Sequence, residues 1–137
     1  MTIADPVEMH SVADARGRLT AIEVGREVPF AIQRIYYLSE TSPDRPRGFH
    51  AHHQTRQFAV CVQGGCRLVM ETPRGDRREV QLTPGAGGLL IEAMVWHEMH
   101  DFAPGTILLV LADRRYEEAD YIRSRDEWRS LCRADAA

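Results

Sequence analysis

Cysteine is scarce in this chain, and an excess of basic charge and long apolar runs are absent from it. The cysteines are Cys61, Cys66 and Cys132, which make no C-x-x-C pair. Their odd number, with an N-terminus that lacks the basic and apolar regions of a signal peptide, predicts reduced thiols in the cytoplasm. The net charge of -3 gives no excess of positive charge of the kind that nucleic-acid-binding proteins use. No apolar run approaches the roughly 20 residues that a membrane-spanning helix needs.

The composition that remains is that of an ordinary globular protein. The chain has 137 residues, of which 44% are hydrophobic and 27% charged. This is enough for one domain with its own core. The sequence contains no internal repeat, linker or low-complexity tract, so we expect a single domain over residues 1–137.

Short strands separated by turns dominate the pattern. Residues 29–38 are rich in β-branched and aromatic side chains, and residues 106–112 form an apolar run typical of a buried strand. Residues 57–63 and 66–71 flank two glycines and are expected to pair as a hairpin. Residues 120–131 predict a short amphipathic helix on the outside. The expected fold is therefore all-β, an antiparallel jelly-roll barrel with a short C-terminal helix.

The strand at residues 57–63 has two different faces. Phe58, Val60 and Val62 alternate with the small residues Ala59 and Cys61. A small inner face leaves room for a ligand inside a barrel. The bulky outer face needs a cover, and a second subunit is the simplest one.

Two histidines carry the strongest functional signal. His50 and His52 are two residues apart, so on a strand they point to the same face. Gln57 and a glycine turn follow at a spacing that resembles the first half of the cupin signature, and His97 stands where the third cupin ligand usually falls. Metal-binding cupins usually have a glutamate at the position of Gln57. A neutral amide is a poor ligand for a transition metal.

Three interpretations of these histidines stay open. His50, His52 and His97 could hold zinc, copper, iron or nickel. They could instead catalyse proton transfer without a metal, because imidazole both takes and returns a proton near neutral pH. They could also be satisfied core residues. The remaining histidines are expected at the surface, and they are His10, His53 and His100.

Other side chains are candidates for holding a ligand. Arg16, Arg34 and Arg47 could bind an anion, because a guanidinium grips phosphate oxygens in a fixed fork. Tyr36 could donate to a sugar hydroxyl or stack on it, unless it is ordinary core. Trp96 is either a stacking wall or core.

Several motifs, in order from about residue 11 to residue 128, resemble the sugar 3,4-ketoisomerase family. They are Pro29-Phe30, Arg34-Ile35-Tyr36-Tyr37, Arg47-Gly48-x-His50-Ala51-His52, Gln57, Trp96-His97-Glu98-Met99, and residues 108–112 and 116–123. The resemblance implies a cupin enzyme that converts dTDP-4-keto-6-deoxyglucose into its 3-keto isomer for deoxysugar synthesis. It also implies a metal-independent reaction without a cofactor, in a homodimer that exchanges N-terminal strands.

The same resemblance implies roles for single residues. His50 is the expected base, and His52 relays a proton or holds the enediolate. Arg16 and His97 would line the pocket near the reacting carbons, as in members that form dTDP-3-keto-6-deoxygalactose. The full substrate-binding set is Arg16, Arg34, Tyr36, Arg47, Gln57, Trp96 and His97. Two alternatives remain: a metal-dependent small cupin, such as a dioxygenase or isomerase, and a non-catalytic sugar-binding cupin.

Overall fold

The computed structural model describes residues 3–136. Two larger antiparallel sheets face each other as a jelly roll, and the first two strands pair as a separate hairpin. The predicted fold class is thus confirmed. The elements are β1 (His10–Asp14), β2 (Gly17–Ala21), β3 (Arg34–Leu38), β4 (Arg47–His52), β5 (Gln57–Gln63), β6 (Cys66–Glu71), β7 (Arg77–Leu82), β8 (Gly88–Ile91), β9 (Trp96–His100), β10 (Ile107–Ala112), a 3-10 turn (Glu118–Asp120), β11 (Tyr121–Ile122) and α1 (Arg125–Ala136). Among these residues no helix is long and apolar enough to cross a membrane.

The two sheets enclose the main core. One sheet has the order β3-β10-β5-β8 and the other has the order β11-β4-β9-β6-β7. Side chains from both inner faces meet between them, including Ala59, Cys61, Leu68, Met70 and Leu108. The expectation of open space beside Ala59 and Cys61 is therefore wrong, because apolar side chains of the opposite sheet fill that part of the barrel.

The expected hairpin between residues 57–63 and 66–71 does not form. β5 pairs with β10 and β8, whereas β6 pairs with β7 and β9 in the other sheet. Gly64, with a φ of 80°, helps the chain turn from one sheet to the other at this point. A glycine pair between two strands therefore marks a corner of the sandwich here instead of a tight hairpin.

The outer face of β5 is covered mainly by the chain itself. Phe58 and Val60 are buried in a second cluster with Val28, Phe30 and Leu111. The expectation that this face needs a second subunit is thus wrong for Phe58 and Val60. Further along the same strand, Val62 remains 53% exposed.

The strand predicted over residues 29–38 is shorter than expected. Residues 29–33 run without regular pairing, and β3 begins only at Arg34. Phe30 and Ile32 pack on the outer cluster, whereas Tyr36 packs towards the main core. Phe30 and Ile32 therefore face away from Tyr36, although alternation along one strand would place all three on the same face.

Helix α1 packs on the outside of the five-stranded sheet. It begins at Arg125 rather than near residue 120, because residues 118–122 form the 3-10 turn and β11. Trp128 is buried against Trp96 and Ala51, and its indole Nε1 donates to the Met94 carbonyl at 2.8 Å. Helix and indole together cover the outer surface of β4 and β9, the two strands that carry the histidines.

Candidate active site

Three imidazoles meet on the inner face of β4 and β9. His50 and His52 share this face as predicted, and His97 lies directly opposite His50 in the antiparallel register. The His50 ring centre is 4.6 Å from that of His97 and 5.1 Å from that of His52. Strand pairing alone therefore brings together side chains that are 47 positions apart in the chain.

A bulge in β4 sets the direction of the His50 side chain. The register with β9 shifts between Gly48 and His50, and Phe49 adopts a φ of 59°. Gly48 has a φ of 88°, and a Cβ at this position would stand 3.0 Å from the His97 carbonyl oxygen. Such a bulge re-aims the side chain that follows it. A side chain at this position would require the neighbouring β9 backbone to shift by a few tenths of an ångström, and it would be strained by the positive φ.

Backbone carbonyls set the tautomers of two histidines. Nδ1 of His50 lies 3.0 Å from the Gly48 oxygen, and Nδ1 of His97 lies 3.1 Å from the Val95 oxygen. A carbonyl only accepts, so in the neutral imidazoles the hydrogen sits on Nδ1 and Nε2 keeps its lone pair. Both Nε2 atoms are then available as a base or as a metal ligand.

A carboxylate stands behind His52. Nδ1 of His52 is 3.4 Å from Oδ2 of Asp120. Asp120 is itself held by the Gln54 backbone N–H at 2.8 Å and by the backbone and hydroxyl of Thr55. These bonds and the nearby His52 keep the pKa of Asp120 below its usual range, so the carboxylate stays charged.

Burial keeps the histidines neutral. It lowers the pKa of His50 below 6.5 and that of His52 to about 4, where the neighbouring His50 adds to the effect. The pKa of His97, enclosed and beside the other two rings, falls well below 6.5. At neutral pH the cluster is therefore three uncharged bases, and charging one of them disfavours charging the next.

These nitrogens also fit a metal by donor type. One nitrogen from each of His50, His52 and His97 lies within 4.8 Å of the others. Three imidazoles suit a transition metal. Within residues 3–136 no carboxylate joins them in this group, and the amide of Gln57 is bonded to Tyr36 instead.

Only one of the three histidines reaches the cavity. A hollow of about 230 Å³ is lined by Arg34, Tyr36, Leu38, Arg47, Gly48, His50, Met99, Tyr121 and Arg123. His52 and His97 are 3% and 2% exposed and lie behind His50. A bound molecule therefore meets the imidazole of His50 first.

Positive charge gathers at the rim. Arg123 is paired with Glu118 at 2.7 Å, whereas neither Arg34 nor Arg47 has a carboxylate within ion-pair distance in residues 3–136. The guanidinium of Arg34 stacks 4.6 Å from the centre of the Tyr36 ring and donates to the Tyr121 hydroxyl at 3.2 Å. Arg34 and Arg47 thus offer free donors for an anion.

Four residues expected in the substrate set do not line the cavity, and they are Arg16, Gln57, Trp96 and His97. Trp96 points to the opposite face of β9 from His97 and is buried under helix α1. Of the two positions that the sequence left open for Trp96, the structure shows the core. Arg16 is at the exposed tip of the β1–β2 hairpin, where it bonds to Asp14 at 2.6 Å. Gln57 is also enclosed, 1% exposed, and contacts Tyr36.

The structure adds residues that the pattern did not single out. Tyr121 lies on β11, opposite His52, and its ring centre is 4.4 Å from that of His52. Asp120 precedes it. Both stand in the stretch of residues 116–123 that carries part of the family resemblance, which is the signal that could have identified them. His10 and His53 are exposed as expected, while His100 is half-buried and bonded to Glu98 at 2.9 Å.

Comparison with known proteins matches the chain over nearly its whole length. Residues 4–133 match the family model described as FdtA: WxcM-like, C-terminal. The chain is 41% identical over 123 residues to the TDP-4-oxo-6-deoxy-alpha-D-glucose-3,4-oxoisomerase of Aneurinibacillus thermoaerophilus, covering 90% of this chain and 88% of that one.

Solved structures agree with this match. A 3,4-ketoisomerase from Helicobacter canadensis is 38% identical, with a TM-score of 0.87 and coverage of 92% of this chain and 94% of that one. A histidine-to-asparagine mutant of QdtA from Thermoanaerobacterium thermosaccharolyticum, in complex with TDP-4-keto-6-deoxyglucose, is 34% identical. Its TM-score is 0.88, and the alignment covers 93% of this chain and 92% of that one.

Proposed function

We propose that this chain, which belongs to the FdtA (WxcM-like, C-terminal) family, is a dTDP-sugar 3,4-ketoisomerase. It would move the ketone of dTDP-4-keto-6-deoxyglucose from carbon 4 to carbon 3. The observation that carries the mechanism is that His50 is the one imidazole of the cluster that lines the cavity. The contact of its Nδ1 with the Gly48 carbonyl leaves Nε2 as the basic nitrogen. A base at this position can take a proton from a bound sugar.

The reaction needs two proton movements. The ketone at carbon 4 acidifies the hydrogen on carbon 3, and its removal gives an enediolate with the negative charge on oxygen 4. The proton taken from carbon 3, or an exchanged one, is returned to carbon 4, while the hydroxyl proton on oxygen 3 ends on oxygen 4. No atom is gained or lost, so proton carriers and donors to the oxyanion suffice.

We assign the first movement to His50. It accepts the proton from carbon 3 on Nε2, since its Nδ1 hydrogen is held by the Gly48 carbonyl. We assign His52, which lies behind it, to the relay. The Asp120 carboxylate beside Nδ1 of His52 partly offsets the burial that lowers the pKa of that ring to about 4. The lowered pKa of His50 keeps it ready to accept a proton at neutral pH.

The nucleotide is assigned to the rim. Arg34 and Arg47 line the cavity, and we assign them to the diphosphate oxygens. A cavity of about 230 Å³ is below the roughly 300–1,000 Å³ of most ligand pockets. It holds a sugar ring more readily than a whole nucleotide sugar. Binding energy gained at the nucleotide would position the reacting carbons.

A second copy of the chain would complete the site. All residues of the β1–β2 hairpin are exposed except Ala21, and its Val12 and Leu19 are 57% and 63% exposed. The outer faces of β3 and β5 expose Ile35, Tyr37 and Val62 as well. We therefore propose a homodimer with exchanged N-terminal strands, in which Arg16 reaches the partner's cavity. Because its substrate is a nucleotide sugar, we place the enzyme in the cytoplasm.

The product is assigned to the galacto series. Reprotonation of the enediolate at carbon 4 can come from either face of the ring. The assignment rests on the resemblance of His97 and Arg16 to the galacto-forming members of the family. His97 is enclosed beside His50, so it would act on the sugar through that ring. We expect the product dTDP-3-keto-6-deoxygalactose. A 3-aminotransferase would trap it as the amino sugar, and the nuclear magnetic resonance coupling constant between the hydrogens on carbons 3 and 4 would show the configuration at carbon 4. A large diaxial coupling would mean the gluco product.

The activity itself is tested by proton exchange. The purified protein with dTDP-4-keto-6-deoxyglucose in deuterated water should exchange the hydrogen on carbon 3 and form the 3-keto isomer, followed by nuclear magnetic resonance. A protein that binds the nucleotide sugar without any exchange would be a sugar-binding cupin instead.

The imidazole cluster supports one competing candidate, a metal-dependent small cupin enzyme. His50, His52 and His97 would hold the cation, which would supply Lewis-acid stabilisation of an oxyanion. Metal analysis of protein purified without added metal, and turnover after chelation, separate the two. Activity lost on chelation and restored by one cation would favour the metal enzyme.

A further inference from the structure

A buried amide contacts the tyrosine of the cavity. Gln57 is the first residue of β5 and is 1% exposed, so a substrate does not reach it directly. Its Nε2 donates a hydrogen bond to the Tyr36 hydroxyl at 2.8 Å. Tyr36 lines the cavity with His50, whereas Gln57 does not. Any effect of Gln57 on a bound sugar therefore passes through Tyr36.

The direction of this bond decides what Tyr36 can do. A phenol has one hydrogen to donate and lone pairs that accept. Because the oxygen accepts from Gln57, its own hydrogen is left for another acceptor. Residues 3–136 supply no second partner for this hydroxyl. The hydrogen of Tyr36 is thus free to be donated into the cavity.

We propose that Gln57 is a positioning residue that fixes the Tyr36 hydroxyl as a hydrogen-bond donor to the enediolate oxygen of the substrate. The proposal rests on the isomerase function given above. Tyr36 would be the catalytic group that touches the oxyanion. Gln57 would act through it by occupying the acceptor side of the hydroxyl.

The protonation state of Tyr36 agrees with a donor role. Burial and the nearby Tyr121 raise the pKa of Tyr36 to about 12, although Arg34, the hydrogen bond from Gln57 and Arg47 act in the opposite direction. The hydroxyl therefore keeps its hydrogen at neutral pH. A donor that is already in place when negative charge develops stabilises an oxyanion without reorganisation.

The same geometry gives a reason for an amide at position 57. An ionised carboxylate has no hydrogen to donate. At this position it would accept from Tyr36 and turn the hydroxyl away from the sugar. Glutamate and glutamine have nearly the same shape, so the difference between them is the direction of one hydrogen bond.

The test compares two substitutions of Gln57. In Gln57→Glu we expect kcat to fall on the order of 100-fold where the carboxyl is ionised, as after loss of one oxyanion donor. The loss should shrink as the pH falls, because a protonated carboxyl can donate to Tyr36 again. In Gln57→Met, which has similar volume and no carboxylate, the loss should be less than about tenfold and should not follow this pH dependence. A Gln57→Glu variant as active as Gln57→Met at every pH would overturn the proposal.

A double-mutant comparison shows whether Gln57 acts through Tyr36. The proposal predicts that Gln57→Glu costs little further activity in a Tyr36→Phe background. Additive losses would refute it. Binding of dTDP should stay within a few-fold in all variants, which separates an effect on turnover from misfolding. A chelator in every assay prevents metal capture by the introduced carboxylate from changing the rates.

The proposal can fail separately from the isomerase function. If the wild type isomerises the sugar but the variants behave otherwise than stated, only the role of Gln57 is wrong. If the wild type is inactive, vibrational spectroscopy still reports the direction of the hydrogen bond between Gln57 and Tyr36. The C–O stretching band of Tyr36 is isolated by subtracting the spectrum of Tyr36→Phe. We expect a hydroxyl that accepts from the amide in the wild type and only donates in Gln57→Glu. A wild-type hydroxyl that only donates would overturn the proposal.

Discussion

Acid should unfold this protein partly by charging His52. The ring is 3% exposed, and burial together with the neighbouring His50 lowers its pKa from 6.5 to about 4. In the unfolded chain the imidazole is solvated and titrates near 6.5. Between these two values the unfolded state binds more protons than the folded state.

The sign and size of the effect follow from this difference. Since the unfolded state binds more protons, the free energy of unfolding falls as the pH falls below 6.5, and the loss is complete below about pH 4. At 1.36 kcal/mol per pKa unit, the fall from 6.5 to about 4 amounts to about 3 kcal/mol. This is a sizeable part of the roughly 5–15 kcal/mol by which domains are stable. The lowered pKa values of His50 and His97 act in the same direction.

The measurement is urea unfolding of wild type and of His52→Asn at several pH values from 7.5 to 4. We expect the variant to lose about 3 kcal/mol less than the wild type over this range. His53→Asn is the matched control, because it replaces an exposed histidine one position away. It should keep the wild-type pH dependence. Protein concentration is held constant, since subunit association shifts apparent stability.

Equal pH dependence in wild type and His52→Asn would refute this account. It would mean that His52 is charged as easily in the folded protein as in the unfolded chain. The Asp120 carboxylate, 3.4 Å from Nδ1, would then offset the cost of burial. A difference in stability that is the same at all pH values would instead reflect only the lost packing of the ring.

Three further outcomes are expected. His50→Asn should lower turnover at least 100-fold in kinetic assays and leave dTDP binding within a few-fold by calorimetry. A variant that keeps more than about a tenth of the wild-type rate would remove His50 from the role of base. Trp128→Ala should cost about 3–5 kcal/mol of unfolding free energy, because the indole is 1% exposed; the exposed Arg133→Ala is its control, and a cost below about 1 kcal/mol would contradict the packing. Leu19→Lys should weaken the dimer, as measured by light scattering, because it places a charge on an exposed apolar position of the N-terminal hairpin. A wild-type protein that is monomeric at micromolar concentration would refute the exchanged-strand proposal.

Local patterns in the sequence predicted much of this fold. The alternation in residues 57–63 placed Phe58 and Val60 opposite Ala59 and Cys61, because side chains on a strand alternate whatever the strand pairs with. For the same reason His50 and His52 had to share a face. The strand predicted over residues 106–112 follows from equally local preferences and forms as β10. The family resemblance likewise depended on motifs that are contiguous in the chain.

Tertiary structure alone decided which of these faces meet. Nothing within residues 57–71 says that β5 and β6 enter different sheets, since pairing depends on partners elsewhere in the chain. Tyr121 and Asp120 reach His52 only because β11 adds to the edge of β4, from nearly 70 positions away. The hydrogen bond from Gln57 to Tyr36 has the same origin. Residue spacing shows which way a side chain points on its own strand, but strand order and sheet closure determine what it touches.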